Sequence, residues 1–337
     1  MRKLIQKIFN PILLWAAAKF SGAPKPAKVF KALSRMLPLN AENINNVLQL
    51  NLNIGSANFI IFSDQHKGNG DDADDFKKCE NTYLAALAHY KNLNYTLVNL
   101  GDSEECWKFS LDEVIATYPK VWQAEADFNH TNKYIKIYGN HDSFWSNEGD
   151  VFKKISNFFK TFPTVYEGVV IKFNDINLKI LITHGHQGDS LSEKNPRSKW
   201  IVKHIWKPLQ RYLQLNLNIK PSQDIKLLNR HNNFMYQWAC TQKNTILIAG
   251  HTHKPVFASG RYSTHKNNSI SKKKQLHVFL PNYFNSGCCC YKTSSITGYE
   301  ITNGHINLVK WYKKNGQPQR KVLEQNSLFG IYKDLGN

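Results

Sequence analysis

A chain of 337 residues is too long for one small core, and it accommodates one large α/β domain with an insertion or two domains. With 42% hydrophobic and 12% aromatic residues, general disorder is excluded. Against 25 Asp and Glu stand 44 Lys and Arg, and the resulting +19 favours anionic partners without choosing among phosphorylated metabolites, nucleic acid and an acidic membrane face.

The first 50 residues read as a basic amphipathic arm. Arg2, Lys3, Lys7, Lys19, Lys25, Lys28, Lys31 and Arg35 precede the first acid, Glu42. The longest apolar run, Ile12 to Ala18, falls far short of the ~20 residues that span a bilayer. Two readings stand for residues 1–40. In one, Ile5, Ile8, Phe9, Ile12 and Trp15 face lipid while the lysines meet anionic headgroups, giving a cytoplasmic protein peripheral on the membrane. In the other, the segment is a helix packed on its own domain.

From residue 57 onward, short apolar runs end in polar turns: "ANFIIFSD", "YTLVNLGD", "YIKIYGNHD", "LKILITHGH" and "TILIAGHTH". Helical patterns over 72–91 and 111–129 separate the early runs, as βαβ units require. Residues 190–244 break the alternation and are read as a helical cap within a domain spanning 51–315. In the cap, Lys199, Lys203, Lys207 and Arg211 recur every four residues, as a phosphate-binding stripe or a solvated face. Strands return from Gln275, the Asn303-Gly304 pair marks a hairpin, and the tail 316–337 carries no pattern. Cys79, Cys106, Cys240 and the run Cys288–Cys290 form no CxxC pair, so they are read as reduced, packed thiols.

Ligands gather at the carboxyl ends of strands in open α/β sheets. Here those ends supply Ser63-Asp64-Gln65-His66, Gly101-Asp102-Ser103-Glu104-Glu105, Gly139-Asn140-His141-Asp142, His184-Gly185-His186 and Gly250-His251-Thr252-His253. Carboxylates, an amide oxygen and imidazoles without thiolate suit Mn²⁺, Fe, Zn²⁺, Ni²⁺ or Co²⁺ rather than a structural zinc cage. So many donors over-supply one ion and serve two ions sharing a carboxylate.

The five blocks, in this order over roughly 57–311, resemble the calcineurin-like metallophosphoesterase superfamily. That resemblance implies an α/β fold, a four-layer α/β/β/α sandwich carrying the cap. It also implies two divalent ions, Mn²⁺ foremost: one on Asp64, His66 and His253, the other on Asn140, His184 and His251, with Asp102 between them. His186 is then expected in a supporting position. The implied reaction is hydrolysis of a phosphate ester or pyrophosphate by a metal-bridging hydroxide. His141 is expected to protonate the leaving oxygen, with Asp142 orienting its ring, and Lys203, Lys207 and Arg211 to bind substrate. "GDSEECW" is similar to the GDxxExW of UDP-diacylglucosamine pyrophosphatases of lipid A synthesis, although those place Arg where this chain has His141. A phosphorylated small molecule or nucleotide-linked compound is the expected substrate; a metal-dependent nuclease acting on DNA is the alternative.

Overall fold

The computed structural model describes residues 25–37, 46–146, 148–188, 203, 225–257 and 280–336. Its inner strands alternate core-facing residues so that each serves two cores. In β2 (Asn58–Phe62), Phe59 and Ile61 enter the cluster between the sheets, whereas Ile60 and Phe62 pack outward under helices. In β7 (Lys179–Thr183) and β8 (Thr245–Ala249), Ile180, Ile182, Ile246 and Ile248 face the other sheet, and Leu181 and Leu247 face outward. Strands buried on both sides read as unbroken apolar runs, which is the pattern the sequence shows.

Two sheets result. One has the order β1-β6-β7-β8-β9, with β1 at Val47–Leu52, β6 at Gly168–Phe173 and β9 at Tyr283–Asn285. The other has the order β12-β11-β10-β2-β3-β4-β5, with β3 at Thr96–Leu100, β4 at Tyr134–Ile137, β5 at Val165–Tyr166, β10 at Ile296–Thr302, β11 at His305–Lys314 and β12 at Gln317–Ser327. Helices α1 (Pro26–Ser34) and α6 (Ile225–Cys240) cover the first sheet, placing Val29, Leu33, Met235 and Trp238 on Val170 and Leu181. Helices α2 (Glu80–Asn92), α4 (Pro119–His130) and α5 (Glu148–Ile155) cover the second, with Tyr83, Leu87, Trp122 and Ile155 buried. The expected four layers are therefore present.

Parallel registers bring the chemistry to one edge. Ile61 pairs with Val98 and Val98 with Ile135, so β2, β3 and β4 release Asp64, Asp102 and Asn140 side by side. In the facing sheet Ile182 pairs with Ile248, which delivers His184 and His251 together.

Several expected boundaries move, each for a local reason. Instead of beginning at Asp72, α2 begins at Glu80, because the side chains of Asp71 and Asp74 accept backbone N–H groups of Ala73 and Phe76 (2.7 and 2.9 Å) and hold turns there. The helix expected over 111–129 is two helices, α3 (Leu111–Thr117) and α4, parted at Pro119; a Ser110/Glu113 capping box opens α3. Residues 316–337, expected as a patternless tail, supply β12 and α7 (Leu328–Asp334). Within the expected arm, α1 is docked through Val29, Leu33 and Met36, and the Trp238 indole donates to Ser34 Oγ (2.9 Å). The proposed lipid-facing residues Ile5 to Trp15 lie outside the described residues, as does most of the cap; Lys203, α6 and residues 241–244 are its described parts. Among the described residues no helix is long and apolar enough to cross a membrane.

Candidate metal and catalytic site

The loops that leave the strands bend at their ligands. Asp64, His66, Asp102, His251 and His253 all have positive φ, between 51° and 67°. Every other such residue outside glycine, among those described, is an asparagine or Ser294. Asparagine, aspartate and histidine enter the left-handed region more readily than other side chains, yet such conformations still cost ~1–3 kcal/mol each. Five of them at one sheet edge mark a place where geometry outweighs backbone preference. Glycines provide the remaining clearance. A Cβ on Gly139 would lie 2.1 Å from Asp102 Oδ1, and one on Gly250 would lie 2.7 Å from Asp64 Oδ2.

The donor atoms fall into two groups. Atoms of Asp64, His66 and His253 lie within 4.8 Å of one another, as do atoms of Asp102, His184 and His251. Asp102 Oδ2 joins the groups, at 3.2 Å from His184 Nε2 and 3.8 Å from His66 Nε2, while its Oδ1 accepts the His141 N–H (2.9 Å). Asn140 is 5% exposed, and its Oδ1 is buried without a hydrogen-bond partner. Asp64 Oδ1 and His184 Nε2 likewise make no well-formed hydrogen bond.

Imidazole orientation is set from behind. His184 Nδ1 donates to the Leu100 carbonyl (2.8 Å), so a lone pair of Nε2 faces the Asp102 carboxylate. The His66 Nδ1 contact to Glu105 Oε2 (3.1 Å) likewise leaves Nε2 towards Asp64 and Asp102, 3.1 Å from His253 Nε2. Lone pairs aimed at one another repel unless positive charge sits between them. The ionisation balance says the same. Burial works against charge on His184, yet Asp102 lifts its pKa to about 9; burial would raise Asp64, yet His253 beside it lowers the carboxyl to about 2. Oxygen and nitrogen donors turned inward, with buried atoms left for a further partner, fit divalent cations.

Beside these groups, His141 is 15% exposed at its side chain and stacks on Trp107 (4.2 Å between ring centres, 16° between planes). Its Nδ1 meets Glu105 Oε1 at 2.6 Å. This corrects the expected partner. Asp142 is fully buried and accepts the N–H groups of Gly139 and Ser103 (2.6 and 2.7 Å), so it ties two ligand-bearing loops together instead of orienting His141. Burial raises the Asp142 pKa to about 6.

His184, and not His186, belongs to a donor group; the His186 ring packs 5.4 Å from that of His184. Of the expected substrate residues, Lys207 and Arg211 lie outside the described residues. Lys203 is exposed and lines a cavity of about 490 Å³ with Trp107, Phe109, Phe144 and Lys154. Sequence reasoning missed the parts played by Glu105 and His231. Glu105 stood in the GDxxExW block with no role assigned to it, and only its spacing from Asp102 pointed further. His231 carried no signal: from α6 its Nε2 meets the Gly185 carbonyl (2.6 Å), and its ring lies 5.4 Å from His251.

A structural search returns vacuolar protein sorting 29 of Cryptosporidium parvum, at 15% identity and a TM-score of 0.35, covering 80% of this chain and 98% of that one. It also returns a single mutant of Vps29 from Entamoeba histolytica, at 14% identity and a TM-score of 0.29, covering 79% and 99%. No curated protein matches the sequence. The model of the calcineurin-like phosphoesterases matches residues 57–255, more than half of the chain and the whole stretch from β2 through His253. By that match, and with the donor groups at the strand ends it spans, the chain belongs to the calcineurin-like phosphoesterase family.

Proposed function

We propose that this protein is a dinuclear metal-dependent phosphoesterase that cleaves a phosphate ester or pyrophosphate bond of a small phosphorylated or nucleotide-linked molecule. The observation that carries the proposal is the set of five left-handed ligand-bearing residues whose donor atoms, together with that of His184, form two groups joined by Asp102 Oδ2. Asp64, His66 and His253 would hold one ion, and Asn140, His184 and His251 the other, with Asp102 serving both. Mn²⁺ suits this mixture of oxygen and imidazole donors. Two cations held there would supply an acidified water and positive charge for the phosphoryl oxygens during in-line displacement.

The chain's own groups do the rest. Glu105 fixes the Nδ1 side of His141, so Nε2 is the nitrogen that gives a proton to the departing oxygen. Trp107 braces the ring face and restricts its rotation. Glu105 also holds His66, so one carboxylate sets the orientation of a metal ligand and of the acid together. Lys203 lies across the cavity that Trp107 also lines, where it would meet an anionic part of the substrate.

The test is a Mn²⁺-supplemented screen of p-nitrophenyl phosphate, its bis ester, nucleotide sugars and DNA, with Asp102→Asn as the blank. Turnover by the wild type that Asp102→Asn loses, by at least ~10³-fold, supports the reading. Equal turnover by both proteins refutes it. Cleavage confined to DNA would turn the assignment to a nuclease.

A further inference from the structure

The three consecutive cysteines are not used by the proposed reaction, yet they are fastened to its edge. The backbone N–H of Cys289 donates to the carbonyls of both Ser63 and Asp64 (3.1 Å each), so the run lies against the first ligand loop. The Cys289 side chain enters the outer core and is fully buried. The run lies between β9 and β10, outside any strand, and Cys288 and Cys290 meet His253. The sulfurs of Cys288 and Cys290 and one ring nitrogen of His253 lie within 4.8 Å of one another, and Cys290 Sγ is 3.6 Å from His253 Nδ1. The other nitrogen, His253 Nε2, lies 3.1 Å from Asp64 Oδ1. Below the ring, the Tyr291 hydroxyl donates to the His253 carbonyl (3.0 Å) and pins the residue in place. Cys288 is buried, Cys290 is half-buried, and neither is in a disulfide.

We propose that Cys288, Cys290 and His253 Nδ1 form a separate three-donor site for a thiophilic cation of the Cd²⁺, Zn²⁺ or Cu⁺ class. Two thiolates and an imidazole are the donors such ions select, and three protein ligands leave a fourth position for solvent. On binding, the two S–H protons and any proton on Nδ1 leave to solvent as the metal–ligand bonds form, and the neutral ring carries its proton on Nε2. That tautomer withdraws the Nε2 lone pair from the Asp64 side. The thiol site and the Asp64/His66 site therefore compete for one ring. The thiol site stands on its own geometry; the competition rests on the metal assignment proposed above.

The experiment titrates chelator-treated full-length protein with Cd²⁺ and follows thiolate-to-cadmium absorption in the ultraviolet. The proposal expects one equivalent of the band in the wild type, in Cys240→Ser and in Asp102→Asn, and none in Cys288→Ser or Cys290→Ser. Because a cysteine variant can misfold, the wild type is also alkylated with iodoacetamide, and bound Cd²⁺ should protect Cys290 at least ten-fold. Prior loading with Mn²⁺ should raise the apparent Kd for Cd²⁺ at least ten-fold. Absence of the band, its survival in both cysteine variants, or unprotected Cys290 overturns the thiol site. A normal band with a Kd indifferent to Mn²⁺ overturns the shared histidine. A normal Cd²⁺ band in a protein that hydrolyses no phosphoester separates failure of the phosphoesterase reading from failure of this one.

Discussion

At the scale of single residues, the site is built from conformations the chain would otherwise avoid. His253 sits at φ 58°, where a Cβ is disfavoured. Both His253→Gly and His253→Ala remove the imidazole, but only glycine also relieves the backbone. His253→Gly should therefore be the more stable of the two by about 1 kcal/mol in denaturant unfolding, with both inactive. Equal stabilities would show that the left-handed conformation carries no cost. The Glu105 assignment makes a sharper demand. Glu105→Gln should lower kcat by about 10²-fold for alkyl phosphates, whose leaving oxygen needs a proton, and much less for p-nitrophenyl phosphate. Asp142→Asn should leave the ratio of the two rates unchanged, because Asp142 bonds backbone and not the ring. If Asp142→Asn alone altered that ratio, the original sequence expectation would be right and the Glu105 assignment wrong.

Among the elements, the strand ends are held in place by charges that never meet water. Glu104 follows β3, and both its oxygens are engaged: Lys67 lies 3.1 Å from Oε1, and Lys136 of β4 lies 3.1 Å from Oε2, which also accepts the Trp145 indole N–H (2.7 Å). Lys67 reaches on to Glu125 of α4 (3.0 Å). Burial opposes charge on Glu104, but Lys136 and Lys67 lower its pKa from 4.5 to about 2. Since the folded value lies below the unfolded one, its contribution is complete above pH 4.5 and fades as pH falls towards 2. Glu104→Gln removes the carboxylate that two buried ammonium groups share, leaving Lys67 only Glu125 and Lys136 only Asp142 at 3.8 Å, and should cost about 3–5 kcal/mol near neutral pH, with a smaller deficit against wild type in acid. A deficit independent of pH would contradict the ionic account.

Legibility at this scale followed chemistry that is local. The strands were readable because burial on both faces writes continuous apolar runs, and the Asn303-Gly304 hairpin because both residues must take positive φ (49° and 72°). A second Asn-Gly pair, Asn315-Gly316, carries the same signal at 51° and 78° and joins β11 to β12. It was legible and went unread, because the exposed edge strand behind it (Pro318, Arg320, Lys321) has no apolar pattern to support it. Glu105 was legible only as a spacing. Its two imidazole partners arise from loops that meet across 39 and 36 positions in the chain, which no local pattern records.

For the molecule as a whole, two sheets face each other and their carboxyl edges close on one cluster of donors. Metal loading should then act as a clamp between sheets, since Asp64, Asp102 and Asn140 follow strands of one sheet and His184 and His251 follow strands of the other. At a free Mn²⁺ concentration one hundred times its Kd, binding adds about 2.7 kcal/mol, which should raise Tm by several degrees and be reversed by chelation. The measurement that tests the central claim most directly is anomalous X-ray scattering from Mn²⁺-loaded crystals of the full chain. The account predicts two peaks ~3.5–4 Å apart, one against Asp64, His66 and His253, the other against Asn140, His184 and His251, with Asp102 touching both. A solitary peak, or a pair elsewhere in the molecule, would contradict it.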